Sequence, residues 1–214
     1  DQVPDCSSPV LPSPPKRNYA DVMNGRIAAQ AEKKADIIVC VHDALDSVKA
    51  CLASVAECRN PERHRILIVN DGSSSETPEW LEGFAGETGN TDLISHAQPC
   101  GYTVSANMGL RAMDQDADMA ILLNSDTVVA RNWIEKLLDA AFMNPGIGVV
   151  GPLSSAASHQ SVPNHKSTET QTAVNDLPSG FTVADMNRWC EENSPDDFVP
   201  RVPLIHGFCF ALTR

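Results

Sequence analysis

This chain has no apolar run near the ~18 residues a membrane-spanning helix needs, and its first residues show no basic-then-apolar leader pattern. Its seven cysteines are odd in number and include no C-x-x-C spacing, so neither a zinc site nor a disulfide framework is indicated. Cys40 and Cys209 lie in apolar runs and read as small core residues. A reducing, cytoplasmic compartment is the simplest expectation. Positive charge is scarce: 16 Lys and Arg stand against 28 Asp and Glu, for a net charge of -12. That balance argues against broad binding to nucleic acid or anionic membrane. An anionic nucleotide is still admissible where a metal neutralises it locally. No G-x-G-x-x-G follows the first expected strand, which sets a dinucleotide oxidoreductase aside. A nucleotidyltransferase normally has a Gly-rich basic loop there, and this chain has His42-Asp43-Ala44-Leu45-Asp46 instead. No internal repeat is visible.

What is present suits one large domain, or one domain with an appendage: 214 residues, 42% of them hydrophobic. Residues 1–18 hold Pro4, Pro9, Pro12, Pro14 and Pro15 among serines and read as an extended linker from something upstream. Residues 19–35 read as a helical segment leading into the domain, 36–214. Apolar runs at 35–41, 65–69, 117–123 and 147–151 read as strands, and 91–95 as a short third strand. Helical spacings at 44–58, 76–84, 103–113 and 132–143 fall between them. Such alternation at about 30 residues is the βαβ rhythm of a parallel sheet. Further on, 152–180 is a long polar loop, and 183–190 a helix with Thr182 as N-cap. Residues 202–205 and 207–211 read as two strand-like pieces around His206-Gly207.

Right-handed crossovers bring the carboxyl ends of parallel strands to one edge, where ligands of open α/β sheets bind. Three polar tips should therefore converge: His42-Asp43, Asn70-Asp71 and Asn124-Ser125-Asp126. Each tip also has a plain structural reading. Asn124-Ser125-Asp126 is built of turn formers, Asp71 precedes Gly72 as in a turn, and Asp43 could cap the following helix. Asn107 falls mid-helix, where asparagine is disfavoured, so either a ligand or backbone contact or a surface position would account for it. His206 could contact a ligand or be a satisfied loop histidine. His159 and His165 read as surface loop residues.

In this order the segments Asp36-Ile37-Ile38-Val39-Cys40-Val41-His42-Asp43, Ile66-Leu67-Ile68-Val69-Asn70-Asp71-Gly72-Ser73-Ser74, Gly101-Tyr102-Thr103-Val104-Ser105-Ala106-Asn107-Met108-Gly109 and Leu122-Leu123-Asn124-Ser125-Asp126 resemble the motifs of family 2 glycosyltransferases of the GT-A fold. Gly148-Val149-Val150-Gly151-Pro152-Leu153-Ser154 and Gly207-Phe208-Cys209-Phe210 complete the order. The resemblance covers about residues 36–214. It implies an α/β fold with a mainly parallel, Rossmann-like sheet flanked by helices. It also implies transfer of a sugar from a nucleotide-diphosphate donor to a glycan or other hydroxyl acceptor, with metal assistance and inversion of configuration. The donor would meet Val41, His42, Asp43, Asp71, Gly72, Gly101, Asn107, Asn124 and Ser125. Asp126 would hold Mg²⁺ or Mn²⁺, a Lewis acid for the departing diphosphate. Asn124 replaces the first acid of the DXD motif, so metal binding without nucleotide should be weak. His206 and Gly207 would lie on the acceptor side, and 152–180 would carry acceptor choice.

An inverting transferase needs a general base. In this family it is usually an Asp in an acidic segment after the Gly-aromatic strand, and no such segment follows His206 here. Glu191-Glu192 and Asp196-Asp197 precede that strand and read as a solvated helix end and loop. The expectation is a piece of a longer multidomain transferase. The alternative is a non-catalytic module that binds a nucleotide sugar or carbohydrate.

Overall fold

The computed structural model describes residues 30–164, 173–193 and 199–214. The expected linker, most of the expected N-terminal helical segment, His165 and Asp196-Asp197 lie outside them. Helices and strands alternate from β1 (Ala35–Val41) through α1 (Leu45–Glu57), β2 (His64–Asn70), α2 (Thr77–Glu87), β3 (Thr91–Ser95), α3 (Tyr102–Arg111), β4 (Met119–Asn124), α4 (Trp133–Phe142) and β5 (Val149–Val150) to α5 (Val183–Asn193) and β6 (Cys209–Thr213). They build one six-stranded sheet in the order β3-β2-β1-β4-β6-β5. The first four strands are mutually parallel, while β6 runs antiparallel to β4 and β5.

The central strands are continuous apolar runs because both faces are covered. Ile37, Val39, Ile66, Ile68, Ile121 and Leu123 pack in one core with Val48 and Leu52 of α1 and Ile134 and Leu138 of α4. The alternate residues Ile38, Leu67, Val69, Ala120 and Leu122 form a second core with Ala106 of α3. Period-two alternation sends successive side chains to opposite faces, so each strand serves both cores.

Chain direction across the sheet reverses at β1: β2 and β3 lie to one side, β4 to the other. This is the topological switch point, where a crevice opens beyond the strand ends. Register fixes the tips there: Val41 lies opposite Asn70, and Cys40 opposite Asn124.

Two expectations at the C-terminal side are corrected. Only Val149–Val150 of the run 147–151 pairs as a strand, and 202–205 joins no ladder. Pro203 has no N–H to give a ladder. Instead Ile205 packs onto Gly151, where a Cβ would lie 2.4 Å from Ile205 Cγ2. Of the two cysteines read as core, Cys209 is buried, but Cys40 is half-buried near the strand ends. The loop 152–180 has more structure than its polarity suggests. Within its described part, the 3₁₀ turn Ser158–Gln160 surrounds a buried Gln160. The Gln160 amide donates to the Pro152 carbonyl at 2.7 Å and accepts the His206 N–H at 2.6 Å. The helix cap at Thr182 is as expected, with Thr182 Oγ1 accepting the Asp185 N–H at 3.2 Å and Asp185 accepting the Thr182 N–H at 3.0 Å.

Candidate functional site

The carboxyl edge of β1, β2 and β4 carries the three polar tips together. Flanking strands of one central strand lie about 10 Å apart, so Asn70-Asp71 and Asn124-Ser125-Asp126 lie on either side of His42 at one edge of the sheet. The Asp71 N–H donates to the Val41 carbonyl at 2.8 Å. His42 Nδ1 donates to the Asp71 carbonyl at 2.9 Å. A carbonyl can only accept, so this bond places the proton on Nδ1 and leaves Nε2 as the ring's free acceptor in the neutral form.

Asp43 and Ala44 are both left-handed, at φ 53° and 52°. These two residues turn the chain sharply from β1 into α1. Asp43 does not cap that helix, which has no side-chain cap. Its carboxylate instead accepts the Ser74 N–H at 2.7 Å, and its own N–H donates to Ser73 Oγ at 3.0 Å. The Ser74 N–H leads the interactions that hold the Asp43 carboxyl below its ordinary range. The β1 and β2 loops are thus clipped together across the crevice.

Asp71 is the most heavily engaged acid at this edge. Its Oδ1 accepts the Cys100 N–H at 2.8 Å and the Cys100 thiol at 2.9 Å, and its Oδ2 accepts the Gly101 N–H at 2.8 Å. The carboxylate therefore lies at the head of α3, where the helix dipole favours negative charge. Burial pushes the Asp71 carboxyl up, but hydrogen bonds from Cys100, Ser105 and Gly101 outweigh it and hold the pKa down at about 2. Asp71 is thus a fixed anion that ties the loop before α3 to the β2 tip. Its oxygens are engaged by the loop before α3 and by Ser105. Gly72 explains the closeness of that loop. Its φ is +62°, and a Cβ there would lie 2.4 Å from the Pro99 nitrogen and 2.5 Å from the Gln98 carbonyl carbon.

On the other side of the crevice, Asn124 ends β4. Its N–H donates to the Phe208 carbonyl at 2.8 Å, and its carbonyl accepts the Thr127 N–H at 3.3 Å. Asn124-Ser125-Asp126-Thr127 is therefore a β-turn as well as the strand tip. Asp126 is exposed, and among the described residues no lysine or arginine is bridged to it.

The remaining expected residues lie further out. Asn107 is exposed, and its amide donates to the Thr103 carbonyl one turn back at 2.8 Å. His206 is half-buried, tilts against Phe208 with ring centroids 6.0 Å apart, and has a buried Nδ1 without a partner among the described residues. Gly207 beside it is exposed. His159 is spent on the loop, donating from Nε2 to the Leu204 carbonyl at 2.7 Å.

Asn70 belongs to a polar tip read from the sequence, whereas spacing did not point to His96 and Cys100. Asn70, buried, accepts the Ser73 N–H at 3.0 Å and shapes the β2 tip. His96, just past β3, and Cys100 approach Asp71 so that one ligand atom from each lies within 4.8 Å of the others. No linear pattern links positions 71, 96 and 100; β2–β3 pairing brings His96 beside the β2 tip, and the loop before α3 brings Cys100 onto Asp71.

The family model of glycosyl transferase family 2 matches residues 36–195. The chain belongs to glycosyl transferase family 2. Among curated proteins of this kind, a pre-mycofactocin glycosyltransferase of Mycobacterium tuberculosis is 31% identical over 88 residues, which is 41% of this chain and 18% of the relative. An uncharacterized glycosyltransferase of Haemophilus influenzae is 25% identical over 115 residues, covering 54% of this chain and 35% of its own length. The chain thus spans about a fifth to a third of these relatives. A mannosyltransferase from Pyrobaculum calidifontis, solved with GDP-Man and Mn²⁺, superposes with a TM-score of 0.51 at 14% identity over 64% of this chain and 44% of that one. That likeness supports the GT-A fold of the family 2 chain: a mostly parallel sheet, flanked by helices.

Proposed function

We propose that this chain carries the donor side of a metal-dependent, inverting glycosyltransferase that moves a sugar from a nucleotide-diphosphate donor to a carbohydrate or other hydroxyl acceptor. The observation that carries this reading is the crevice at the switch point. Asp71 on one side is a fixed anion, and Asp126 on the other is an exposed carboxylate with no lysine or arginine bridged to it among the described residues. Asp71 and Gly72, with Val41, His42 and Asp43 opposite, would receive the base and ribose. Gly101 and Asn107 on α3 would border the sugar nucleotide.

Asp126 would hold Mg²⁺ or Mn²⁺, assisted by oxygen from Asn124 or Ser125. One carboxylate, neutral oxygens and room for phosphate and water suit a hard cation. When bound, such a cation supplies Lewis-acid stabilisation of the charge left on the diphosphate. Because Asn124 contributes no charge, the nucleotide's own phosphates should complete the site, and metal and nucleotide should bind together. His206 and Gly207, tied through Gln160 to the loop 152–180, would face the acceptor, and that loop would set acceptor choice. We place the protein in the cytoplasm as part of a longer chain, with no nucleic-acid partner. The free cysteines among the described residues fit a reducing compartment, and no helix among those residues is long and apolar enough to cross a membrane.

The test is a thermal melt with UDP or GDP, with and without Mn²⁺ or Mg²⁺. The reading expects stabilisation only with nucleotide and metal together and its loss in Asp126→Ala. Stabilisation by nucleotide that ignores both metal and Asp126 would overturn the metal-dependent reading.

A further inference from the structure

We propose that Asp71, His96 and Cys100 form a second cation site, selective for zinc-like ions, and that filling it blocks the nucleotide's seat at Asp71. The geometry comes from three segments at the carboxyl edge: the tip of β2, the residue following β3, and the loop before α3. A carboxylate oxygen, an imidazole nitrogen and a thiol sulfur lie within 4.8 Å of one another. Four-coordinate zinc places its ligand atoms about 3.5 Å apart, from bonds of about 2.0 Å to oxygen or nitrogen and 2.3 Å to sulfur. Closing the triad onto an ion thus needs small side-chain movements. Cys100 is exposed, so an ion can reach the site from solvent. His96 presents an independent sign of an unused ligand: its Nε2 is buried and has no hydrogen-bond partner among the described residues. Three protein ligands with one position left for water is a common zinc arrangement.

Donor chemistry separates this site from the one at Asp126. Mixed nitrogen, sulfur and oxygen ligands favour zinc over Mg²⁺ or Mn²⁺, whereas an all-oxygen set favours the hard ions. When zinc binds, the S–H bond of Cys100 breaks, its proton passes to solvent, and the sulfur–zinc bond forms. Asp71 exchanges the thiol's hydrogen bond for the metal. The ion and its water then stand between that carboxylate and the donor's base or ribose. This half of the proposal rests on the donor reading above; the site itself does not.

The experiment has two arms, each on the chain freed of metal. In the first, zinc alone is titrated against a chromophoric chelator, without nucleotide, for the wild type, His96→Gln and Cys100→Ser. One tight equivalent is expected in the wild type, and either substitution should weaken it by at least about 10–100-fold, the loss typical of even outer-shell changes. X-ray absorption of the zinc-loaded wild type should show one sulfur with nitrogen and oxygen ligands, which covers the case of a variant that folds poorly. Equal affinity in all three proteins, or an all-oxygen absorption spectrum, overturns the site. In the second arm, UDP and GDP binding is measured in saturating Mn²⁺ with rising zinc. Nucleotide affinity should fall in the wild type and hold in His96→Gln. Wild-type affinity indifferent to bound zinc overturns the blockade. Failure of both nucleotides to bind even without zinc would count against the donor reading and leave the first arm standing.

Discussion

The two edges of the parallel sheet handle acidic residues in opposite ways. At the amino edge, where the strands begin, acids are matched by cations. Asp36, 2% exposed, is bridged to Arg65, which also reaches Asp92 at 2.9 Å and the Ala112 carbonyl at 2.9 Å. Asp118 pairs with Lys33 at 2.7 Å. Arg59 is buried nearby and donates to the carbonyls of His64, Gly89 and Asn90. At the carboxyl edge, Asp43, Asp71 and Asp126 have no such lysine or arginine among the described residues. Asp43 and Asp71 are held by N–H groups, hydroxyls and a thiol. Cations at the first edge neutralise charge permanently and staple strands together; their omission at the second keeps negative potential where an incoming cation can use it. The difference teaches that Asp36 is a structural acid, while Asp126 is available for chemistry.

Breaking the amino edge should have the largest effect on stability. Arg65→Ala leaves the buried Asp36 carboxylate without its cation, and loss of one partner of a buried pair costs about 3–5 kcal/mol. Urea unfolding would measure this; a loss below about 1 kcal/mol would erase the contrast between the edges. At the carboxyl edge, Asp71→Ala removes the acceptor for Cys100 and Gly101. It should cost about 1–3 kcal/mol in the same assay and loosen the 98–101 loop, visible as faster amide exchange at Cys100 and Gly101. Gly72→Ala meets both a left-handed φ and the backbone of 98–99. A loss of more than about 1 kcal/mol is expected there, with the same loop response.

The pH dependence sharpens the reading of Asp71. Its folded pKa lies at about 2, below the ordinary carboxylate value of about 3.9. Its contribution is therefore fully present above about pH 4 and is lost as pH falls towards 2. The stability gap between the wild type and Asp71→Asn should be constant from pH 7 to about 5 and narrow below 4. A gap that widens on acidification would contradict the hydrogen-bonded anion. The smallest stability effect is expected at Asp126. Asp126 is exposed and, among the described residues, has no bridged lysine or arginine, so Asp126→Ala should change unfolding free energy by no more than about 0.5 kcal/mol; on the proposed reading the same substitution would remove the metal-dependent response to nucleotide.

The strands β1, β2 and β4 were legible because a doubly covered parallel strand is a plain apolar run, and they lie where those runs occur, within about two residues; the edge strand β3, Thr91–Ser95, is only half apolar. The helices between them followed from their spacing, with ends moved by similar amounts. The C-terminal side was harder to read. Residues 202–205 have a strand's composition, but their partner is the bare surface of Gly151 rather than a ladder. Gln160 looks like any loop polar residue until its two long-range hydrogen bonds are seen. Similarly, Asp43 precedes a helix as a cap would, yet two left-handed residues turn it towards Ser74.

From the sequence alone came the βα alternation, the polar tips and the excess of acid, because periodicity and charge are local properties that survive without coordinates. Only the tertiary structure decided that β6 runs antiparallel beside β4, that the acids of one edge are neutralised and those of the other are not, and that His96 and Cys100 meet at Asp71. Those outcomes depend on strand pairing between distant segments, and pairing is set by how whole elements pack rather than by any residue's neighbours in the chain.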